Sequence, residues 1–157
     1  MSELLKFEVT RRIGAPGSAV WSVLGDFGRE HLWSKSLAHC ERDTETVKVG
    51  TARTCTLPKP LMGRTSVREQ LTEYEPGWSL SYRLDGPAGP FASASSRWRT
   101  APASDGGTEL TVEGFFTPRN PLARLLIWPL AKPFLRRLTA RTIAELEAFI
   151  VASGRAA

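Results

Sequence analysis

Hydrophobic and polar side chains alternate along most of the chain up to Phe116. In residues 4–13, Leu5, Phe7 and Val9 fall on one side and charged or polar residues on the other, and a period of two is typical of a half-buried strand. The same alternation predicts further strands at 37–45, 51–57, 67–71, 78–85, 91–100 and 110–116. Because short turns separate consecutive strands, the pattern predicts seven strands in an antiparallel sheet. A proline- and glycine-rich stretch at 57–63 is predicted to be a loop.

Two segments have helical rather than strand spacing. After the first strand, residues 15–33 place Val20, Leu24 and Phe27 on one face, and the glycines at 25 and 28 end that helix early. This predicts two short helices. From residue 120 onward the spacing is again helical. Since a proline inside a helix removes a hydrogen bond, Pro129 and Pro133 predict a separate piece at 121–130 and a long helix from near Pro133 to near Ser153.

These elements favour one arrangement. A curved seven-stranded sheet buries its apolar face most simply by wrapping around the long amphipathic helix. The predicted fold is therefore an α+β helix-grip, as a single domain over residues 1–157.

Composition narrows the function only slightly. The net charge of +5 gives a general preference for anions without favouring nucleic acid. Metal-ligand spacing and phosphate-binding motifs are missing, so neither a metal nor an organic cofactor is expected. The chain lacks an export-type start and a long apolar run, which predicts a cytoplasmic location. Cys40 and Cys55 lie on adjacent predicted strands and would pair only if they face each other, so two reduced thiols are expected.

Several polar residues are candidates for chemistry. Glu69 lies between Val67 and Leu71 on an apolar face, where burial would raise its pKa and a nearby Arg53 would lower it. The alternative is a surface carboxylate paired with Arg53 or Arg68. Tyr82 shares a face with apolar residues, and its hydroxyl would orient a ligand carbonyl, act as a general acid, or simply pack in the core.

Two other candidates are less favoured. A surface position is the preferred interpretation for Arg53, whose facing is ambiguous. His39 is a possible cavity base, although it cannot act with Cys40 because neighbouring strand residues point to opposite faces.

A set of short motifs, in this order, resembles one known superfamily. The motifs are Ile13-Gly14-Ala15-Pro16, Val20-Trp21, Leu24, Asp26-Phe27, Trp33, Arg68-Glu69, Tyr82, Gly106-Gly107-Thr108 and the closing helix. They resemble, over nearly the whole chain, the SRPBCC superfamily, also called START-like or birch-pollen-allergen-like, which includes the polyketide cyclase/dehydrase group. Glu69-Gln70-Leu71 and Leu57-Pro58 also resemble the pocket acid and gate of its plant hormone receptors, whereas Gly89-Pro90-Phe91 replaces their second gate motif.

The resemblance implies a deep cavity between sheet and long helix that holds an apolar ligand. Glu69 and Tyr82 are then the acid/base candidates, and the expected ligand-binding residues are Trp33, Arg53, Leu57, Leu80, Ala94, Trp98, Val112, Phe116, Trp128 and Phe134. Arg53 is included because polyketide cyclases of this superfamily often use an arginine, together with tyrosine and tryptophan, to hold a polyketone chain. One implied function is a polyketide cyclase or dehydratase; the alternative is a non-enzymatic carrier or sensor of a lipid, terpenoid or aromatic metabolite, as a monomer or homodimer.

The segment around residues 121–137 is both basic and amphipathic. Arg124, Lys132, Arg136 and Arg137 interleave with leucines and aromatics, a composition that suits contact with an anionic membrane. The preferred interpretation is that its apolar side closes the mouth of the cavity.

Overall fold

Seven antiparallel strands form one sheet that packs against a long C-terminal helix, in a computed structural model that describes residues 4–61 and 63–154. The strands are β1 (Leu5–Ile13), β2 (His39–Arg42), β3 (Ala52–Leu61), β4 (Arg64–Glu75), β5 (Ser79–Leu84), β6 (Phe91–Pro102) and β7 (Thr108–Pro118). The helices are α1 (Gly17–Leu24), a 3-10 turn (Glu30–Leu32), a π-helical turn (Ala123–Ile127) and α2 (Trp128–Ala152). The sheet order is β1-β7-β6-β5-β4-β3-β2. The predicted helix-grip fold is confirmed.

The third strand is longer than its sequence predicts. Residues 57–61, expected to belong to a loop, continue β3 as far as Leu61. The pairing with β4 shifts register between Thr56 and Leu61, where Pro58 and Pro60 have no N–H to donate to the neighbouring strand. Hydrophobic and polar residues do not alternate in this proline-containing stretch, so the sequence pattern alone predicts a loop.

The long helix begins earlier than predicted. It starts at Trp128, directly after the π-helical turn, instead of near Pro133. Pro129 lies in the first turn, where its missing N–H has no partner inside the helix. Pro133 has no N–H to donate to the carbonyl of Pro129, but both prolines are exposed, so the helix continues past Pro133 on its solvent side. Among the described helices, none is both long and apolar enough to cross a membrane.

An aromatic cluster fills one end of the space between the sheet and α2. Phe116 lies 5.0 Å from Phe91 and 5.5 Å from Trp128 between ring centroids, and Phe7 stacks on Phe116 at 6.1 Å. The Phe7 ring also crosses β7 at Gly114, where an added Cβ would lie only 2.1 Å from it. Only glycine permits this approach. Because the cluster fills this end, the cavity between the sheet and α2 lies towards the other end, beneath the middle of α2.

Candidate functional site

A cavity of about 270 Å³ lies between α2 and the sheet, beside the aromatic cluster. Its wall consists of Glu30, Trp33, Ser34, Ser36, Leu37, Arg53, Glu69, Tyr82, Ser96, Trp98, Val112, Leu138, Thr139 and Thr142. The sheet residues come from β3 to β7 in succession, because inward-facing residues of neighbouring strands lie side by side. The volume suits a small molecule better than a long acyl chain.

Arg53 stands at the centre of a buried ion network in this wall. It pairs directly across the β3–β4 ladder with Glu69, whose Oε2 accepts a hydrogen bond from Nε at 2.7 Å and forms an ion pair with Nη2 at 2.5 Å. Its Nη1 contacts Oε1 of Glu30. Arg53 is only 5% exposed, so the expected surface position is wrong. One buried cation holds two carboxylates.

Two aromatic rings hold the Arg53 guanidinium in place. It lies 4.3 Å from the centroid of Phe27 and 4.6 Å from that of Tyr82, within the range of cation–π attraction. Burial by itself lowers the pKa of Arg53, but the charges of Glu30 and Glu69 outweigh it and the pKa is raised. The guanidinium is therefore a fixed positive charge that does not act as an acid or base.

Glu30 reaches Arg53 because the chain turns sharply at Gly28. Gly28 has a φ of +102°, and an added Cβ would lie 2.8 Å from the Cβ of Arg42, so glycine is required on both grounds. Its N–H donates to Oε2 of Glu30 at 3.0 Å. Sequence reasoning missed Glu30, although the helix break at Gly25 and Gly28 was a signal that the chain bends here.

Glu69 keeps one oxygen for a ligand. Its Oε2 accepts from Arg53, whereas Oε1 accepts no hydrogen bond from any residue in 4–61 or 63–154. The side chain is mostly buried and lines the cavity. Glu30, Arg53 and Glu69 together carry one net negative charge, so the polar part of the wall offers acceptors and repels anions.

Tyr82 supplies a neighbouring hydrogen-bond donor. Burial in the wall and the charge of Glu69 raise the pKa of its phenol, while Arg53 and a hydrogen bond from Trp98 oppose them weakly. Its hydroxyl is therefore protonated at neutral pH. The Trp98 indole N–H also donates to Oγ of Ser96 at 3.1 Å, which fixes the Trp98 ring in the wall.

The residues predicted for the site fall into three groups. Those lining the cavity are Trp33, Arg53, Glu69, Tyr82, Trp98 and Val112. Leu80 is buried in the core, Ala94 pairs with Phe116 across β6 and β7, and Phe116 and Trp128 belong to the aromatic cluster. Leu57 and Phe134 lie outside the cavity. Phe134 is 64% exposed, and Leu57 borders a second cavity.

That second cavity, of about 310 Å³, lies between the β3–β4 hairpin and the β5–β6 turn. Leu57, Val67 and Leu84 are among its apolar lining residues, and Arg64 and Arg119 are the basic ones. It contains no acidic residue and no tyrosine among the described residues that line it. The acid/base candidates are therefore confined to the cavity beneath α2.

Cys40 and Cys55 form a disulfide instead of the two thiols expected. The register of β2 and β3 places them directly opposite each other with Cα atoms 4.1 Å apart. Their sulfurs and a Glu30 oxygen lie within 4.8 Å of one another, but both sulfurs are bonded and Glu30 is held by Arg53. This set offers a metal no free thiolate. A disulfide is also rare in reducing compartments, and the cytoplasmic location stays a prediction.

His39 lies away from the cavity. It is exposed, and its Nε2 contacts Oε1 of Glu41 at 3.2 Å on the outer surface. The expectation that it is a cavity base is wrong, since on β2 the inward position belongs to Cys40.

Comparison with known proteins agrees with this architecture. A comparison with curated proteins gives no match. The crystal structure of Ara h 8.0201 superimposes with a TM-score of 0.73 at 14% identity, over 96% of this chain and 99% of that chain. At this identity the similarity concerns the fold alone.

A family model described as "Polyketide cyclase / dehydrase and lipid transport" matches residues 5–150. The match extends from β1 to the last turn of α2, so it includes every element that borders the cavity. The chain therefore belongs to the polyketide cyclase/dehydrase and lipid transport family of the SRPBCC superfamily, whose members typically bind hydrophobic ligands.

Proposed function

We propose that the protein binds a small, mainly apolar and uncharged molecule in the cavity beneath α2. The observation that carries this proposal is the buried Glu30–Arg53–Glu69 network in a wall whose other residues are apolar or aromatic side chains interspersed with serines and threonines. A buried ion network is costly unless every charge is paired. A pocket that retains one beside free volume is suited to orienting a ligand.

The polar groups of the wall define the kind of ligand. Oε1 of Glu69 accepts a hydrogen bond, and the hydroxyl of Tyr82 donates one. A ligand with a hydroxyl and a carbonyl on an apolar skeleton matches both. Trp33, Trp98 and Val112 supply the apolar contacts.

The negative charge of the cavity wall disfavours anionic ligands. The network carries a net negative charge in a largely desolvated place, where electrostatic repulsion is much stronger than in water. Fatty acids and other carboxylates should therefore bind poorly. A neutral terpenoid, phenol or polyketide-like molecule should bind well.

The five tryptophans allow a direct test of where such a molecule binds. Trp33 and Trp98 line the cavity, whereas Trp21 and Trp78 border a separate surface depression. Titrating naphthol into nitrogen-labelled protein should shift the indole N–H signals of Trp33 and Trp98. The signals of Trp21 and Trp78 should not move.

Two variants make this test specific. Glu69→Gln changes the free acceptor in the wall, whereas Glu73→Gln removes a carboxylate on the same strand that contacts Ser79 and Arg97 instead of the cavity. Naphthol should bind roughly tenfold more weakly to Glu69→Gln, because a hydrogen bond to a charged group contributes about 1.5–3 kcal/mol. Binding to Glu73→Gln should be unchanged. Shifts centred on Trp21 and Trp78, or equal affinity of both variants, would contradict the proposal.

A cyclase or dehydratase activity is the second candidate, and the proximity of Glu69 and Tyr82 favours it. Tyr82 pairs with Leu71, two residues from Glu69 on β4. In such a reaction Glu69 would accept a proton from the carbon next to a ligand carbonyl. Tyr82 would donate a hydrogen bond to the carbonyl oxygen as negative charge develops there.

Hydrogen exchange measures that first step on its own. Benzoylacetone incubated with the protein in heavy water should lose its central protons faster than in buffer, as followed by proton NMR. The acceleration should disappear in Glu69→Gln and persist in Glu73→Gln. Equal rates of proton loss with and without the protein would contradict the proposed enzymatic activity, although the protein could still bind the ligand.

A further inference from the structure

The π-helical turn and the first half of α2 expose an apolar surface that the cavity does not use. Leu125 and Leu126 in the π-helical turn are 69% and 61% exposed, and Leu130 and Phe134 on α2 are 77% and 64% exposed. Leu130 and Phe134 are four residues apart and so lie along one side of the helix. The expectation that this apolar side closes the cavity mouth is wrong for these residues, because they face solvent.

The positive charge of the chain is concentrated in the same segment. Residues 114–144 contain six basic residues and no acidic one, and six positive charges exceed the net charge of +5 of the whole chain. Lys132, Arg136 and Arg137 are exposed and form no ion pair within the described part of the chain. Elsewhere on the surface, arginines such as Arg12 and Arg42 are paired with aspartates.

These two features together select one kind of partner. Leucine and phenylalanine side chains flanked by free lysine and arginine are the signature of a helix that lies in the interface of an anionic bilayer. A second copy of the chain fits poorly, since a two-fold contact would place this basic face against itself. Attraction to anionic lipid contributes about 1 kcal/mol per basic residue near the surface.

We propose that residues 122–138 dock the protein on anionic membrane surfaces, which we call the docking face. Leu125, Leu126, Leu130 and Phe134 enter the headgroup region, and Lys132, Arg136 and Arg137 contact acidic lipid headgroups. Trp128, packed in the aromatic cluster, fixes this face to the sheet. Docking is independent of the ligand proposed above, because only Leu138 of this face also lines the cavity and none of the cavity acids belongs to the face.

Vesicle flotation tests the proposal with the full chain. The protein should float with vesicles of phosphatidylcholine containing about a third phosphatidylserine, and at least tenfold less with phosphatidylcholine alone. Raising the ionic strength to about 1 M, where the Debye length is about 3 Å, should release much of the bound protein.

Exposed positions in the loop between β2 and β3, outside the docking face, supply matched controls. Leu130→Glu should weaken binding at least tenfold, whereas Val49→Glu makes the same change of charge at an exposed loop position and should have no such effect. Lys132→Gln combined with Arg136→Gln should also lower binding roughly tenfold. Lys48→Gln, also in the exposed loop, controls for the loss of a positive charge there.

Equal binding to both vesicle types, or binding that Leu130→Glu leaves intact, would overturn the proposal. So would failure to float together with a concentration-dependent dimer that Leu130→Glu dissociates, since the face would then be an interface between copies. All these residues are exposed, so a thermal melt equal to that of the parent protein excludes misfolding as the cause of lost binding.

Discussion

Two ion networks occupy opposite faces of the same sheet, and their central residues carry opposite charge. On the cavity side one cation, Arg53, is held between Glu30 and Glu69. On the outer side one anion, Glu113, is held between Lys6 at 3.0 Å and Arg99 at 2.5 Å. In each network the central residue is buried, since Arg53 and Glu113 are 5% and 4% exposed.

The difference lies in what surrounds the outer members of each network. Lys6 and Arg99 are about half exposed, so water screens their charges and can replace their contacts. Glu30 and Glu69 are largely buried and border a cavity. The outer network is therefore an ordinary surface feature around one buried carboxylate. The inner one lies in the wall of the cavity, where a ligand reaches the oxygen of Glu69 that Arg53 does not occupy.

Removal of Arg53 should give the largest difference between the two networks. Arg53→Met leaves two buried carboxylates unpaired and should cost about 3–5 kcal/mol of unfolding free energy. Arg99→Met removes an exposed partner and should cost about 1 kcal/mol or less. Urea denaturation of both variants measures this.

A compensated variant separates charge from packing. Arg53→Met combined with Glu30→Gln and Glu69→Gln removes the unpaired charges and should recover much of the lost stability. Equal destabilisation by Arg53→Met and Arg99→Met would show that the inner network is no more desolvated than the outer one.

Loss of the disulfide beside the inner network should lower the stability of the whole protein. Cys40 and Cys55 join β2 to β3, and Cys55 lies two residues from Arg53, whereas the outer network spans β1, β6 and β7. Closing a loop of 15 residues contributes about 3 kcal/mol, so reduction should lower the unfolding free energy by up to that amount. A Cys40→Ala, Cys55→Ala variant should lose as much and then be insensitive to reductant. Sensitivity that persists in this variant would be inconsistent with the disulfide as its source.

Alkaline pH should affect the inner wall. The pKa of Tyr82 is raised by burial and by Glu69, so the folded state favours the protonated phenol. Its contribution is complete below the ordinary tyrosine pKa of about 10 and is lost as the pH rises through the higher folded value. The unfolding free energy of the parent protein should fall in this range more steeply than that of Tyr82→Phe. Parallel curves would place Tyr82 in contact with water.

Acid should affect the outer network, and by less. Burial alone would raise the pKa of Glu113, but Lys6 and Arg99 lower it overall. Its contribution is present above the ordinary glutamate pKa of about 4.3 and is lost as the pH falls through the lower folded value. Glu113→Gln should flatten the stability curve on the acid side. A curve as steep as that of the parent protein would assign the acid sensitivity to other carboxylates.

The sequence predicts the outer framework better than the inner wall, for physical reasons. Alternation identifies the strands and their inward faces, as for Tyr82 and Val112, because burial leaves a periodic trace. Around Arg53, however, the neighbours are Thr51, Ala52, Thr54 and Cys55. These small residues form no clear apolar period that would show which way the arginine faces.

Other parts of the site depend on contacts between distant segments. Glu30 comes from a short turn without periodicity and meets Arg53 only in the fold. The aromatic cluster that limits the cavity requires Phe7 to pass over Gly114, which no local pattern encodes. The predicted start of the long helix near Pro133 was wrong for another reason. The helix begins at Trp128 and continues through Pro133, so the rule that a proline interrupts a helix does not hold on this exposed stretch.

The central claim is that the inner network selects an uncharged ligand. Calorimetric titration of naphthol and naphthoate, which have the same ring system and differ in charge, tests it most directly. The parent protein should prefer naphthol at least tenfold, a difference of about 1.4 kcal/mol, and Glu69→Gln should lose most of this preference because the net charge of the network becomes zero. Tighter binding of naphthoate, or a preference that Glu69→Gln leaves intact, would contradict the account.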